Sequence, residues 1–331
     1  MLRSRRQNKF RLPTAPLISI VQAIHTLVNS FLVAQNERSV AVRNVFVDPK
    51  LQSVFDSAGF VVLPLLAASE ASALRKEVRS LETSVRSRAF SASLMSDDRR
   101  YRQYVNALIA ESVFTRMAPF LDDYEFCYAN VFAKNPRQPR ASFVPLHQDP
   151  TFVDETRFIA VNSWMALEDV NAHNGCLKVI PGSHKVNSLV RGQVPIYPYG
   201  DTVINMELNY AEDIDIPAGF ACVMDLRLFH GSHGNASNDE RFAASAVSLP
   251  REAEPLYCVF DDGGKSTKVY NVPRDFHKTN HFGSAPTVGM EPSATVPNIA
   301  SPVTSTMLKA FYEDSGAARG RWREILAETQ A

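Results

Sequence analysis

His147 and Asp149 stand two residues apart in "HQDPTF", residues 147–152. In an extended strand, positions i and i+2 point to one face, so an imidazole and a carboxylate converge there and Gln148 faces the other side. Two readings follow from the pair alone. One is a divalent metal, which neutral imidazole and carboxylate suit as donors; the other is a buried hydrogen-bonded pair. The metal reading needs a third donor, and "FACVMDLRLFHGSHGNASNDER" supplies a candidate. If residues 220–230 form one strand, Phe220, Cys222, Met224, Leu226, Leu228 and His230 share a face that is apolar until it ends in the histidine. Two imidazoles and one carboxylate with open positions make the facial set of non-heme Fe(II) oxygenases. His233 competes for the third place, but it follows Gly231, where the strand is expected to break, and falls on the opposite parity.

Arg241 opens "RFAASAVSLP", with Ala243, Ser245 and Val247 on its face. A guanidinium on the floor of a barrel is costly to bury unless a carboxylate comes to pair with it. A dicarboxylate whose other end reaches the metal would meet both needs. Taken by itself, the segment reads more simply as an arginine starting an exposed strand.

The elements that must carry these residues are short and regularly punctuated. From about residue 124 to 262, "YEFCYANVFAK", "FIAVNSWMALEDV", "CLKVIPG", "EDIDIPAG", "FACVMDLRLFHG", "RFAASAVSLP" and "PLYCVF" read as strands broken by Pro, Gly and Asn. Such a series suggests an all-β sandwich or barrel, jelly rolls included. Asn174-Gly175 and Pro181-Gly182 sit where tight reversals are needed. His173 and His184 lie in those turns and read as surface or turn-stabilising residues. Upstream, "AGFVVLPLL" (58–66) reads as a buried strand. Leu74, Val78, Leu81 and Val85 then mark a helix with one apolar stripe, for which Ser69 is a candidate cap. Residues 263–305, with Pro273, Pro286, Pro292, Pro297 and Pro302, read as a long loop, either functional or disordered. His277 and His281 lie within it, as solvated loop residues or as the lining of a lid. The last segment, from about Thr304, looks helical and ends in a small apolar anchor of Trp322, Ile325 and Leu326.

Bulk properties exclude some classes. Lys plus Arg and Asp plus Glu are each 35, so charge gives no pull toward nucleic acid or an anionic membrane. Cys127, Cys176, Cys222 and Cys258 include no CxxC pair and read as buried free thiols in a reducing, cytoplasmic compartment. Met1 to Asn36 holds no acidic residue, and Arg3, Arg5, Arg6, Lys9 and Arg11 precede "PLISIVQAIHTLVNSFLVAQ". Gln22, His25, Thr26, Asn29 and Ser30 make that run a poor membrane span. It reads as an amphipathic helix, with an organelle transit peptide as the alternative. The expected organisation is a helical extension over 1–50, a β core over 51–262, and the loop with its C-terminal helix over 263–331.

"HQD", "WMALEDVNAHNGCLKVIPGSHK" and "FHGSHGNASNDER" together resemble the phytanoyl-CoA dioxygenase family of Fe(II)/2-oxoglutarate oxygenases, in order and spacing over roughly residues 55–250. The resemblance implies a double-stranded β-helix, that is, a cupin-like jelly roll with flanking helices. It implies that His147, Asp149 and His230 bind iron, and that Arg241 grips the distal carboxylate of 2-oxoglutarate. Trp164 and Ser232 fall where the family lines that pocket, and Asn130 and Lys134 where family members place polar co-substrate contacts. The implied reaction uses Fe(II), 2-oxoglutarate and O2 to hydroxylate an unactivated C–H bond of a small molecule, releasing succinate and CO2. Relatives that chlorinate carbon replace the carboxylate with Ala or Gly, so Asp149 points to a hydroxylase or a related oxidation. The substrate expected is a specialised metabolite or an amino-acid or acyl derivative. An acyl-CoA hydroxylase remains open, although Arg137, Arg140 and Arg191 read as surface residues and not as a CoA phosphate site. So does a metal-binding cupin without oxygenase activity, against which Arg241 argues. A non-catalytic sensor would be expected to have lost a ligand, and none is missing.

Overall fold

The computed structural model describes residues 43–81, 88–186, 190–193, 202–283, 287–298 and 304–330. The basic, acid-free stretch over Met1–Asn36 lies outside them, as does Val85. Among the described residues, no helix is long and apolar enough to cross a membrane.

Thirteen strands in the described residues build three antiparallel sheets. The largest orders β1 (Phe60–Pro64), β8 (Phe220–Asp225), β5 (Val161–Ala166), β10 (Arg241–Pro250), β3 (Tyr124–Lys134) and β2 (Phe90–Ala92). Facing it is a sheet of β4 (Val144–His147), β9 (His230–Ser232), β6 (Leu177–Val179) and β7 (Glu212–Ile214). Two facing antiparallel sheets with strands crossing between them in this order form a jelly roll, as the strand series implied.

Strand parity decides the layers. On the large sheet, Val61, Ala129, Val131, Met165, Val223, Phe242 and Ala244 bury their side chains outward. There they meet helices α1 (Pro49–Ala58), α2 (Ala68–Ser80) and α3 (Arg99–Ile109), which contribute Val54, Leu74, Val78 and Val105. The alternate residues face the opposite way, toward the small sheet, and those near one end line a cavity. At the N-terminus of α2, Glu70 accepts from the Ala67 backbone N–H (2.8 Å), and Ser69 lies inside the first turn; the cap is a reach-back carboxylate and not the expected serine.

Three other segments differ from expectation. Residues 220–232 are not one strand: β8 ends at Asp225, a turn follows, and β9 starts at His230 in the other sheet. Residues 263–305 are not a loop throughout, because β12 (Ser266–Asn271) pairs with β11 (Leu256–Asp261) and β13 (Ala294–Pro297) in a third sheet. His184 is buried, not a surface residue, with its ring against the space a Cβ on Gly59 would fill. His173 is exposed, as read. The turns at Gly175 and Gly182 take φ of 99° and 78°, the left-handed region that favours glycine. At Gly182 an added Cβ would also lie 2.4 Å from the Phe311 carbonyl.

Helices over Ser305–Asp314 and Gly316–Gln330 cover one side of the barrel. Leu308 and Phe311 pack with Leu146, Ile180 and Phe229, and Trp322 enters the cluster of Ala58, Phe60, Val62 and Phe220. The side chains of Ile325 and Leu326 lie outside the described set.

Candidate active site

His147 is the last residue of β4 and pairs in register with His230, the first of β9. The ring centroids are 4.4 Å apart. Gly231 makes this approach possible, since a Cβ there would sit 2.6 Å from the Val144 carbonyl. Asp149 lies just past the strand, held by its N–H donating to the Leu226 carbonyl (2.9 Å). Its Oδ1 is 3.9 Å from His147 Nε2 and 3.8 Å from His230 Nε2, so the three groups converge as their spacing suggested.

The second contacts of these groups orient them. His147 Nδ1 donates to the Pro145 carbonyl (2.9 Å) and His230 Nδ1 to the Leu228 carbonyl (3.0 Å). A carbonyl only accepts, so each Nδ1 carries the proton and each Nε2 presents a lone pair to the common point. Asp149 Oδ2 accepts from Asn162 Nδ2 (3.1 Å), which leaves Oδ1 turned to the histidines. Burial, with His230 alongside, depresses the His147 imidazole to about 4, so it is neutral and ready to ligate at neutral pH. Three convergent donors, two with fixed tautomers, fit a divalent metal better than a hydrogen-bonded pair.

Arg191 was read as a surface residue, and the structure corrects this. Its Nε donates to the Asp149 carbonyl (2.6 Å), and its two terminal nitrogens grip Glu155 at 2.9 and 2.5 Å. The Asp149 loop is thereby tied to a nearly buried ion pair. Arg191 is 42 residues from Asp149 and in no recognisable spacing with it, so only the fold reveals the link. Asn162 shares strand parity with Trp164 on β5, and that alternation is the sequence signal that points it toward the site. Gln148 was expected to face away; it donates to the Arg227 carbonyl (2.6 Å) yet also borders the cavity.

That cavity, of about 270 Å3, is bordered by all three converging groups together with Asn130, Trp164, Ser232 and Arg241. Arg241 is fully buried on a central strand, not on an exposed one. Among the described residues its Nε and Nη1 have no hydrogen-bond partner. Its guanidinium lies over the Trp164 ring, 5.5 Å from the centroid, and burial pulls its pKa down to about 10. The nearby Glu168 carboxylate favours the charged guanidinium but forms its ion pair with Arg75. The two buried Arg241 nitrogens left without partners are unfavourable by several kcal/mol in order of magnitude, and would be met by an anion.

Lys134, paired in register with Arg241, is buried too. Its Nζ donates to Ser232 Oγ (2.6 Å) and to the His233 carbonyl. Burial, with Arg241 nearby, draws it down to about 6. Asn130 lines the cavity, but its Oδ1 is engaged by Ser93 Oγ (2.9 Å) and the Leu94 N–H (3.2 Å). His233 turns away from the cluster, with Nε2 on Asp213 Oδ1 at 2.7 Å.

Elsewhere the cavity wall is apolar, with Phe90, Leu94, Tyr128, Phe132, Met224 and Phe282 prominent. His277 is not a solvated loop residue. It packs on Phe152 (4.8 Å between centroids) and Phe276 (5.4 Å), its Nε2 donates to the Leu256 carbonyl (2.9 Å), and burial lowers it to about 4. His281 contacts the Met95 carbonyl at 3.1 Å.

Fold and cluster define a jelly-roll protein with a mononuclear metal-type site beside an anion-seeking arginine. The phytanoyl-CoA dioxygenase family model matches residues 55–243, more than half the chain, and the chain belongs to that family of iron- and 2-oxoglutarate-dependent oxygenases. A phytanoyl-CoA dioxygenase of Arabidopsis thaliana is 35% identical over 129 residues, 37% of this chain and 40% of that protein. A phytanoyl-CoA dioxygenase domain-containing protein 1 of Danio rerio is 34% identical over 103 residues, 29% of this chain and 35% of that protein. The matched stretch thus spans well under half the length of these relatives. Among solved structures, HygX from Streptomyces hygroscopicus with nickel, 2-oxoglutarate and hygromycin B bound is similar at 15% identity and TM-score 0.46, covering 62% of this chain and 88% of that one. EctD from S. alaskensis with 2-oxoglutarate and 5-hydroxyectoine follows at 19% identity and TM-score 0.45, covering 63% and 78%.

Proposed function

We propose that the protein is an Fe(II)- and 2-oxoglutarate-dependent dioxygenase that hydroxylates an unactivated C–H bond of a small molecule, releasing succinate and CO2. The observation that carries this reading is the pairing of two things on one cavity: three convergent, oriented metal donors and a buried arginine with unpartnered nitrogens. His147 Nε2, His230 Nε2 and Asp149 Oδ1 would hold the iron. Arg241 would receive the distal carboxylate of 2-oxoglutarate, with Trp164 and Ser232 beside it and Lys134 holding the Ser232 hydroxyl through its hydrogen bond. Bound Fe(II), with 2-oxoglutarate and O2, supplies the oxidising power for the C–H bond. The protein's share is to keep the His147 imidazole neutral, orient both rings through their Nδ1 contacts, hold the carboxylate through Asn162 and Arg191, and wall the reacting centre with apolar side chains that limit water.

The apolar wall favours a small, largely apolar specialised metabolite. Against an acyl-CoA ester stands Arg191, which is committed to Asp149 and Glu155 and so is not free to meet a CoA phosphate. Phe282, from the segment between β12 and β13, borders the cavity, which supports closure of that segment over substrate. Four buried unpaired cysteines suit a reducing compartment such as the cytoplasm. Because Asp149 occupies the position that chlorinating relatives leave open, the product should gain oxygen and not halogen. A metabolite panel screened for substrate-dependent succinate, then product mass in excess chloride, tests both points. A halogenated product from the unmutated protein, or no substrate that stimulates succinate, would contradict the reading.

A further inference from the structure

We propose a second metal site in this protein, a zinc-type site at the edge of the small sheet built from Cys176, Asp213 and His233. One ligand atom from each of the three lies within 4.8 Å of the others. None of them belongs to the His147–Asp149–His230 cluster, and the family motifs give none of them a role.

Backbone register brings the three together. Leu177 of β6 pairs with Ile214 of β7 on one side and with Ser232 of β9 on the other. Cys176, one residue back, therefore sits between Asp215 and His233, and the His233 N–H donates to the Cys176 carbonyl (3.0 Å). By alternation Cys176, Asp213, Asp215 and His233 share one face of the sheet, opposite to Leu177 and Ile214. The Cys176 thiol is buried and lies against the Asp215 carboxylate. His233 and Asp213 are partly exposed, at 28% and 41%, so the cluster opens to solvent and a cation can reach it.

The donor types select the metal. Thiolate, imidazole and carboxylate in one cluster suit borderline-soft Zn2+ and disfavour Mg2+ or Ca2+, which take oxygen. His233 Nε2 and Asp213 Oδ1 share a hydrogen bond at 2.7 Å, so a cation would replace its proton and spread the two donors to about 3.3 Å, the separation set by metal–ligand bonds of about 2.0–2.1 Å. Binding would convert the Cys176 thiol to thiolate and release its proton to solvent. It would also join β7 to β6 and β9 beside Lys134, whose Nζ already contacts the His233 carbonyl.

Cobalt(II) is the probe, because a thiolate–cobalt bond gives a near-ultraviolet charge-transfer band that nitrogen and oxygen ligands do not. Chelator-treated full-length protein carrying His147→Ala, which disables the other cluster, is titrated with Co2+ and then Zn2+. The proposal expects a thiolate band that saturates at one equivalent, disappears when Zn2+ is added, and is absent in the His147→Ala/Cys176→Ser double variant. Asp213→Asn and His233→Gln, at partly exposed positions that leave the core intact, should weaken Co2+ binding at least about ten-fold, the loss that even outer-shell changes cause. Absence of the band with a folded circular dichroism spectrum would overturn the site. So would a band that survives Cys176→Ser, which would assign it to another cysteine, or affinity unchanged in both exposed-position variants. None of these readouts depends on oxygenase activity, so the outcome is separable from the function proposed above.

Discussion

At the scale of single residues, the site divides into groups that sequence spacing shows and groups that only folding brings near. His147, Asp149 and His230 converge as their motifs suggested, and Arg241 is buried with unpartnered nitrogens. Arg241→Ala should chiefly raise the 2-oxoglutarate concentration needed for half-maximal succinate formation. Losing one partner of a buried charged pair costs about 2–5 kcal/mol, roughly thirty-fold or more in affinity. Unchanged 2-oxoglutarate dependence would remove Arg241 from the site. Arg191 was illegible because its partners, Asp149 and Glu155, are distant in sequence and meet it through a loop. Arg191→Ala should loosen Asp149 and weaken iron binding by about 10–100-fold, as loss of outer-shell support does, while leaving the fold intact. An iron titration on the variant reads this directly, and wild-type affinity would make the Arg191–Glu155 pair a purely structural tie.

At the scale of elements, alternation predicted faces well and continuity poorly. The strands read as "YEFCYANVFAK" and "RFAASAVSLP" match β3 and β10, because long apolar alternation between clear breakers leaves little choice. Over residues 220–230 the polar Asp225 and Arg227 fall on the parity opposite His230, as they would in one continuous strand, so alternation does not mark the crossing from one sheet to the other after Asp225. His230 still joins His147 and Asp149, although it begins a new strand instead of ending an old one. Residues 263–305 read as loop because β12 and β13 are short and polar within a proline-punctuated segment, and their pairing, β12 on β11 and β13 on β12, forms only in the fold. Of the two readings of His184, surface or turn-stabilising, the surface one fails: the histidine is buried with Nε2 on the Asp56 carbonyl, and burial depresses it from 6.5 to about 4. The unfolded chain binds this proton below about 6.5 and the folded chain only below about 4. Stability is therefore full above 6.5, falls as pH drops through that window, and levels off below 4. The loss reaches about 3 kcal/mol in order of magnitude from this group. Urea unfolding at pH 7 and 4.5 should show a smaller difference for His184→Gln than for wild type. An identical difference would place the acid sensitivity elsewhere, His277 being the next candidate.

At the scale of the whole molecule, the family match ends at residue 243 while the folded body continues through the C-terminal helices. Those helices are part of the core and not an appendage, since Trp322 is 3% exposed among Ala58, Phe60 and Phe220. Trp322→Ala should cost about 3–5 kcal/mol in global unfolding, the range for emptying a large buried aromatic. A change below about 1 kcal/mol would mean the helix docks only loosely. The apolar anchor was legible from Trp322; which surface it meets was not, because β1 and α1 lie more than 250 residues away. The account as a whole rests on iron and 2-oxoglutarate meeting in one cavity between His147, Asp149, His230 and Arg241. Its most direct test is succinate formation from 2-oxoglutarate by the purified protein with Fe(II) under air, compared with the His147→Ala, Asp149→Ala, His230→Ala and His233→Ala variants. The account predicts turnover in the wild type, none in the first three variants, and retained turnover with His233→Ala. Succinate from the triad variants at the wild-type rate, or its loss with His233→Ala alone, would contradict it.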